Sequence, residues 1–423
     1  MAVNNNILLA GPWDTAKALG EMLGEGSFYL TVAGSLLRIG AGFLLGFSVA
    51  VFLAMASKCF GWLEELMSPF MNLIKTVPVA SFVVLLLIWW GSGFLAVAIS
   101  FLVVLPQIYI STLEGLKNAD VQLLEMAQVF RMSRWNRFFY IYRPACKPFL
   151  LSGLKIALGM CWKSGVAAEV IGTPDYSIGE RLYLSKVYLD TAELFGWTAV
   201  IIVLCGLFEK LVLWLTEKFF VWEPASKGQR LCKRGQRMYT ANGKPEKEAD
   251  AESGIVLENV RKSYNGQIVL DNFNATYLPG ETCYLTGPSG SGKTTLLRIL
   301  AGLTEADSGS VQSLGRCCMV FQEDRLCEDY SAVKNVEMVP GNAEKAVEAL
   351  TKLLPSESLQ KPCRELSGGM KRRVALVRAM EADSEVVLLD EPFTGMDAET
   401  RKGAEEYIKE RQKGRTIIIA THI

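Results

Sequence analysis

Five stretches in the first half of the chain, at 29–56, 67–90, 93–112, 149–171 and 194–215, are close to twenty residues or longer and almost free of charge. Between 30 and 110 the only ionisable acids and bases are Arg38, Lys58, Glu64, Glu65 and Lys75. Lipid offers the backbone no hydrogen-bond partners, so runs of about 20 apolar residues in this pattern predict helices that span a bilayer. The second stretch is interrupted by Lys75 and Pro78.

Charge orients these spans. The loop at 115–147 holds Lys117, Arg131, Arg134, Arg137, Arg143 and Lys147, whereas 172–193 holds only Arg181 and Lys186. The first loop is therefore expected on the cytoplasmic side, with residues 1–28 outside. The fifth span then ends inside and is followed by Lys227, Arg230, Lys233, Arg234 and Arg237. Residues 1–25 lack a basic start and a long apolar run, so insertion is expected to use the spans rather than a cleaved signal. A multi-pass location in the lipid bilayer follows.

The second half differs in composition. Over all 423 residues, 44 Lys and Arg balance 44 Asp and Glu, so no global field points to nucleic acid and none is expected as a partner. Half the residues are apolar, too many for a disordered chain. Charge of both signs becomes dense after about residue 223. Three parts are predicted: a transmembrane domain at 1–222, a flexible linker at 223–253 with few large apolar residues, and an α/β domain at 254–423. The ten cysteines show no metal-binding spacing and read as reduced thiols.

The α/β domain carries chemistry. A short strand at 281–285 runs into Gly287-Pro288-Ser289-Gly290-Ser291-Gly292-Lys293-Thr294-Thr295 and then a helical pattern at 296–300. That context makes the glycine-rich run a P-loop rather than a chance match: backbone N–H groups close around phosphates, Lys293 reaches the outer ones, and the Thr294 hydroxyl ligates Mg²⁺. Downstream, the apolar strand 386–389 delivers Asp390 and Glu391 at its end. Asp390 is expected to hold the Mg²⁺ shell and Glu391 to activate water, in preference to two acids in a solvated turn. A nucleoside triphosphate and Mg²⁺ are the expected ligands of such a site.

With these residues in view, the stretch from 254 to 423 resembles the nucleotide-binding domain of ABC transporters, a P-loop NTPase fold with a helical signature subdomain. Leu366-Ser367-Gly368-Gly369-Met370 resembles the family signature, with Met where Gln is usual. The resemblance implies that Ser367, Gly368 and Gly369 complete the ATP site of a second copy, and that Tyr264 stacks on adenine. It further implies that Gln322 senses Mg²⁺ and contacts the membrane part, that Asp397 is the acidic residue after the catalytic glutamate, and that His422 contacts the γ-phosphate. Each has a plainer rival: a strand aromatic at Tyr264, a solvated loop residue at Gln322, a helix N-cap at Asp397 and a stray terminal histidine at His422. The family usually continues for dozens of residues beyond this histidine, so elements that brace it are expected to be missing.

The basic loop carries a second resemblance. Glu125-Met-Ala127 through Arg131-Met-Ser133 to Arg143-Pro144-Ala-Cys-Lys-Pro148 resembles the EAA loop of binding-protein-dependent ABC importers, and exporters lack it. Leu123, Ala127 and Phe130 recur at helical spacing, which predicts a short amphipathic helix that docks on the ATPase domain, with Glu125 and Ala127 as coupling residues; a basic helix on anionic lipid is the rival. Arg131 stands where the pattern usually has Gly, so a different turn is expected there. The wider match, from about 11 to 220, is similar to permeases of the nitrate, sulfonate and taurine group, which usually carry one more span before 8–23.

Arg38, Lys155, Lys163 and Glu169 are the ionisable residues inside or beside spans. Interhelical pairing is the first expectation for them. Lys155 and Lys163, about 80° apart on a helix, also form a cationic stripe suited to an anionic solute. The whole reading is an all-α transmembrane bundle of about five helices followed by an ABC-type α/β ATPase. It predicts an ATP-driven importer acting as a homodimer with an extracytoplasmic substrate-binding protein, its ATPase domain cytoplasmic. A nucleotide-binding but non-hydrolysing regulatory protein and an exporter are the alternatives.

Overall fold

The computed structural model describes residues 10–221, 254–312, 315–341 and 343–421. The expected linker and His422 lie outside the described residues. The chain divides into two compact units, Met1–Ala119 with Tyr142–Glu223, and Asp120–Ile141 with Pro224–Ile423.

The helices run in the order α1 (Pro12–Leu23), α2 (Gly26–Cys59), α3 (Gly61–Thr76), α4 (Val79–Trp90) and α5 (Ser92–Lys117), then two short helices α6 (Val121–Val129) and α7 (Arg134–Arg137), then α8 (Arg143–Gly172), α9 (Ile178–Val187) and α10 (Thr191–Val221). All but α6 and α7 belong to the first unit.

All five apolar stretches are helical, but they are not five straight spans. Among the described residues α2, α5 and the 191–220 helix are long and apolar enough to cross a membrane. The second stretch is α3 and α4, bent by 97°. Pro78 is the cause: it has no N–H to give and holds Val77 in extended backbone at φ −72°, ψ 131°. The fourth stretch lies in α8, which has the length, at 30 residues, but carries Lys155, Lys163 and Glu169 and packs along α2 and α5.

Small residues let these helices approach. A Cβ on Gly153 of α8 would lie 2.6 Å from Ser111 Cβ of α5, and one on Gly115 of α5 would lie 2.8 Å from Cys146 Cα. Around these contacts Ile39, Phe43, Ile108, Leu154 and Trp162 fill the core. Two of the four ionisable residues pair as expected: Arg38 Nη1 lies 3.7 Å from Glu169 Oε1, and Ser35 Oγ donates to Glu169 Oε2 at 2.6 Å. Lys155 and Lys163 are exposed on α8.

The second unit holds β1 (Ile255–Tyr264), β2 (Gln267–Tyr277), β3 (Thr282–Thr286), α11 (Lys293–Leu300), β4 (Ser308–Gln312), β5 (Cys317–Val320), α12 (Ala332–Glu337), α13 (Ala346–Thr351), α14 (Gly368–Glu381), β6 (Val386–Asp390), α15 (Ala398–Arg411) and β7 (Thr416–Thr421). β2, β1 and β4 form an antiparallel sheet, its hairpin turned at Asn265 and Gly266, both at positive φ. The other sheet is parallel, in the order β3-β7-β6-β5. Its inner strands are mainly apolar, at 386–389 in β6 and 417–420 in β7, and these stretches are buried, as covering on both faces requires. The strand ends expected to carry the P-loop and the acidic pair lie on this sheet, at β3 and β6.

Candidate functional site

The loop between β3 and α11 is shaped by three glycines at positive φ: Gly287 at 158°, Gly290 at 83° and Gly292 at 87°. At Gly292 space also excludes a side chain, since a Cβ would meet Leu270 Cδ2 at 2.9 Å and the Val269 carbonyl at 3.0 Å. Pro288, Ser289, Gly290 and Ser291 are exposed along the loop. Lys293 Nζ is drawn over it, donating to the carbonyls of Gly287 at 2.7 Å and Pro288 at 3.0 Å. The first amides of α11, those of Lys293, Thr294 and Thr295, have no intrahelical acceptor and face the loop with the positive end of the helix dipole. This is an anion cradle of the kind phosphate requires.

Thr294, Gln322 and Asp390, expected as the Mg²⁺ residues, line one cavity of about 70 Å³, together with Glu323, Arg298 and Arg325. Asp390 is 1% exposed and its Oδ2 is buried without a hydrogen-bond partner. Burial pushes its carboxyl above the ordinary range, with Thr294 acting in the opposite direction. A buried, unpartnered carboxylate oxygen beside a hydroxyl and an amide, in a polar space with room for water, fits a hydrated hard cation. Among the described residues no group of three or more His, Cys, Asp or Glu side chains forms an all-protein metal site, so any cation here would keep water or phosphate ligands.

Glu391 follows directly. It takes a left-handed φ of 49°, which turns the chain sharply out of β6, and Thr394 Oγ1 donates to its carbonyl at 3.1 Å.

The remaining site residues do not line the cavity. Ser367 caps α14, accepting the Met370 N–H at 3.4 Å, with Gly368 and Gly369 opening the helix. A Cβ on Gly369 would lie 2.9 Å from the Gly395 carbonyl. Asp397 caps α15, its Oδ1 accepting the Thr400 N–H at 2.8 Å; within one chain the plain N-cap reading accounts for it. Tyr264 ends β1, 45% exposed, with the Lys262 ammonium 5.4 Å from its ring centroid.

The segment from Asp120 to Ile141, which lies in sequence between α5 and α8, belongs to the second unit. Of the three residues at helical spacing Ala127 and Phe130 are buried and Leu123 is half-buried, and Met126 and Val129 are buried beside them. Glu125 accepts from Arg298 at 2.6 and 3.1 Å and from Arg325 at 2.6 Å. Arg298 and, after it, Arg325 hold the Glu125 carboxyl below its usual range against the effect of burial. Where a different turn was expected, Arg131 takes the glycine conformation itself, at φ 49°, and the Met132 N–H closes on the Ala127 carbonyl at 2.9 Å in a Schellman-type ending.

Four arginines that matter here are not singled out by sequence: Arg298, Arg325, Arg372 and Arg378. Arg372 and Arg378 are 3% and 0% exposed. Arginines are mostly exposed, and no local pattern marks which one a fold will bury.

Residues 42–218 match the family described as binding-protein-dependent transport system inner membrane component, and residues 270–394 match the ABC transporter family. The curated relatives that match are ATP-binding proteins of transport systems. The Nod factor export ATP-binding protein I of Cupriavidus metallidurans is 35% identical, over 40% of this chain and 62% of that protein. The aliphatic sulfonates import ATP-binding protein SsuB 2 of Pseudomonas syringae is 39% identical, over 40% and 64%. SsuB 1 of Rhodococcus jostii is 38% identical, over 40% and 73%. The chain thus spans less than two thirds of the first two. With cradle, acidic strand end and signature helix in one unit, the chain belongs to the ABC transporters, a membrane component of the binding-protein-dependent type joined to an ABC ATPase domain.

Proposed function

We propose that this protein imports a small anionic solute across the plasma membrane, driven by ATP hydrolysis, as a homodimer served by an extracytoplasmic binding protein. One observation carries the reading. Glu125, on the loop joining two helices of the membrane domain, is ion-paired to Arg298, one helical turn after the Mg²⁺ residue Thr294. A motion at the nucleotide thereby has a direct route into the membrane-domain sequence.

In this reading residues 1–222 form the permease, 223–253 the linker and 254–423 the cytoplasmic ATPase. The loop 287–293 and the first turn of α11 bind the phosphates, Lys293 neutralises the outer ones, and Thr294, Asp390 and Gln322 hold Mg²⁺. The cation, when bound, offsets charge on the transferring phosphoryl group. Glu391 accepts the proton of the attacking water. Tyr264 receives the adenine, and Ser367, Gly368, Gly369 and Asp397 act across the dimer on the partner's nucleotide, with His422 at the γ-phosphate. Lys155 and Lys163, exposed on α8, line the path of the anion, because two ammonium groups facing hydrocarbon are costly whereas a watered anion path repays them.

The test is ATP hydrolysis by the chain in lipid nanodiscs beside Glu391→Gln, with nucleotide binding measured on both. Hydrolysis that disappears in the variant while binding persists supports the reading. Binding without hydrolysis in the unmodified chain, with binding protein supplied, overturns it in favour of a regulatory nucleotide-binding protein. Transport unchanged by Lys163→Gln, or a cationic substrate, removes the anion assignment alone.

A further inference from the structure

The parallel pairing of β5 with β6 ends at Val320 and Leu389, and beyond it the two chains part: 321–325 leaves the sheet, while β6 goes on to Asp390 and turns at Glu391. One side chain occupies the fork. Arg372, on α14 and 3% exposed, donates through Nη2 to the carbonyls of Asp390 at 2.5 Å and Glu391 at 2.7 Å. Through Nη1 it donates to the carbonyls of Phe321 and of Gln322, the latter at 3.2 Å, and reaches Asp324 Oδ1 at 3.4 Å.

We propose that Arg372 is a positioning residue that replaces the missing rung of the sheet and makes the loop carrying Gln322 and the turn carrying Glu391 move as one body. The planar guanidinium suits this place, since it presents donors in a fixed fork and two carbonyl pairs fall on its two arms. The turn at Glu391 needs such support because a left-handed φ in a residue with a side chain persists only where its surroundings hold it. Arg372 does not itself line the cavity; it holds the main chain of three residues that do, Phe321, Gln322 and Asp390. Its effect is to set where the water-activating carboxylate stands when the Gln322 loop shifts. This rests on the proposed role of Glu391, and its test has an arm that does not.

Hydrogen exchange on the full chain compares the unmodified protein with Arg372→Met, which keeps the bulk and removes the donors. Exchange is expected to quicken about tenfold or more in both 321–325 and 390–394, with β7 and α11 unchanged. A change confined to one of the two segments, or to neither, overturns the inference. If exchange rises across the whole unit, the variant has misfolded, and Arg372→Lys takes its place: one ammonium keeps the charge but cannot serve both carbonyl pairs, and the same paired loss is expected. In nanodiscs, kcat for ATP is expected to fall about tenfold or more with KM within about threefold; an unchanged kcat with a raised KM contradicts a positioning role. If the unmodified chain does not hydrolyse ATP, the proposed function fails and the exchange arm alone decides this inference.

Discussion

Glu125 and Arg298 meet as a two-point ion pair, 2.6 Å between Oε1 and Nη2 and 3.1 Å between Oε2 and Nη1, and Arg298 stands on the helix that begins at the phosphate loop. Arg325 closes on the same carboxylate from the Gln322 loop, its guanidinium 3.8 Å from the Phe321 ring centroid. Two elements of the nucleotide site are therefore tied to one side chain of the docking segment. Removing it leaves two partly buried guanidiniums short of a partner. Glu125→Ala is expected to destabilise the ATPase unit by about 1.5–3 kcal/mol. Denaturant unfolding checks this, and a cycle with Arg298→Ala is expected to show coupling of about 0.5–3 kcal/mol.

That contribution depends on pH in a definite sense. The folded Glu125 carboxyl ionises at lower pH than the unfolded one, because Arg298 and Arg325 favour its charge. A depressed carboxylate contributes stability that is complete above the unfolded value, about 4.3, and is lost as pH falls through the folded value. The stability gap between the unmodified chain and Glu125→Gln should be constant from neutral pH down to about 5 and shrink below that. A gap that widens on acidification would contradict the ion pairing.

Thr294→Val keeps the shape of the side chain and removes the hydroxyl beside Asp390. The Mg²⁺ concentration giving half-maximal ATP hydrolysis is expected to rise by on the order of tenfold or more, since a vacated ligand position costs at least what a lost supporting contact does. Titration of Mg²⁺ at saturating ATP measures it.

In the membrane unit Gly153 is held by space. A Cβ there would stand 2.2 Å from Ser111 Oγ and 2.6 Å from Ser111 Cβ. Alanine improves helix propensity by about 1 kcal/mol relative to glycine, yet the overlap should win and cost about 1–3 kcal/mol. Thermal unfolding in detergent should show Gly153→Ala destabilised, Ser111→Ala unable to rescue it because the Cβ remains, and Ser111→Gly able to.

Arg131→Gly should stabilise the docking segment by up to about 1 kcal/mol. The left-handed conformation costs a residue with a Cβ roughly 1–2 kcal/mol, of which glycine returns part through its freer unfolded state. Urea unfolding compares the two chains; a loss of stability would mean that the exposed Arg131 side chain makes a contribution of its own.

Much of this protein was legible before its structure. The apolar runs between 29 and 215, the P-loop 287–295 and the Val386–Glu391 strand end are local patterns, each set by a physical need that acts within one segment: satisfying backbone groups in lipid, admitting phosphate to main-chain N–H groups, burying a strand on both faces. The helical spacing of Ala127 and Phe130 was legible for the same reason. Tertiary structure decided what depends on residues far apart. Pro78 was visible as an interruption, but only the packed chain showed that it bends the second stretch by 97°. Glu169 was expected to pair, but only the packed chain showed that its partner is Arg38, on another helix and 3.7 Å away. Arg298, Arg325 and Arg372 were anonymous, since a charged side chain is normally solvated and nothing local announces the one that burial will enlist. Their partners lie at Glu125, at Phe321 and Gln322, and at Asp390 and Glu391. The sequence by itself determined the chemical parts and the two environments they work in. Which charges meet and which small residues let helices touch were decided by folding, because a buried charge is tolerable only where distant segments bring it a partner.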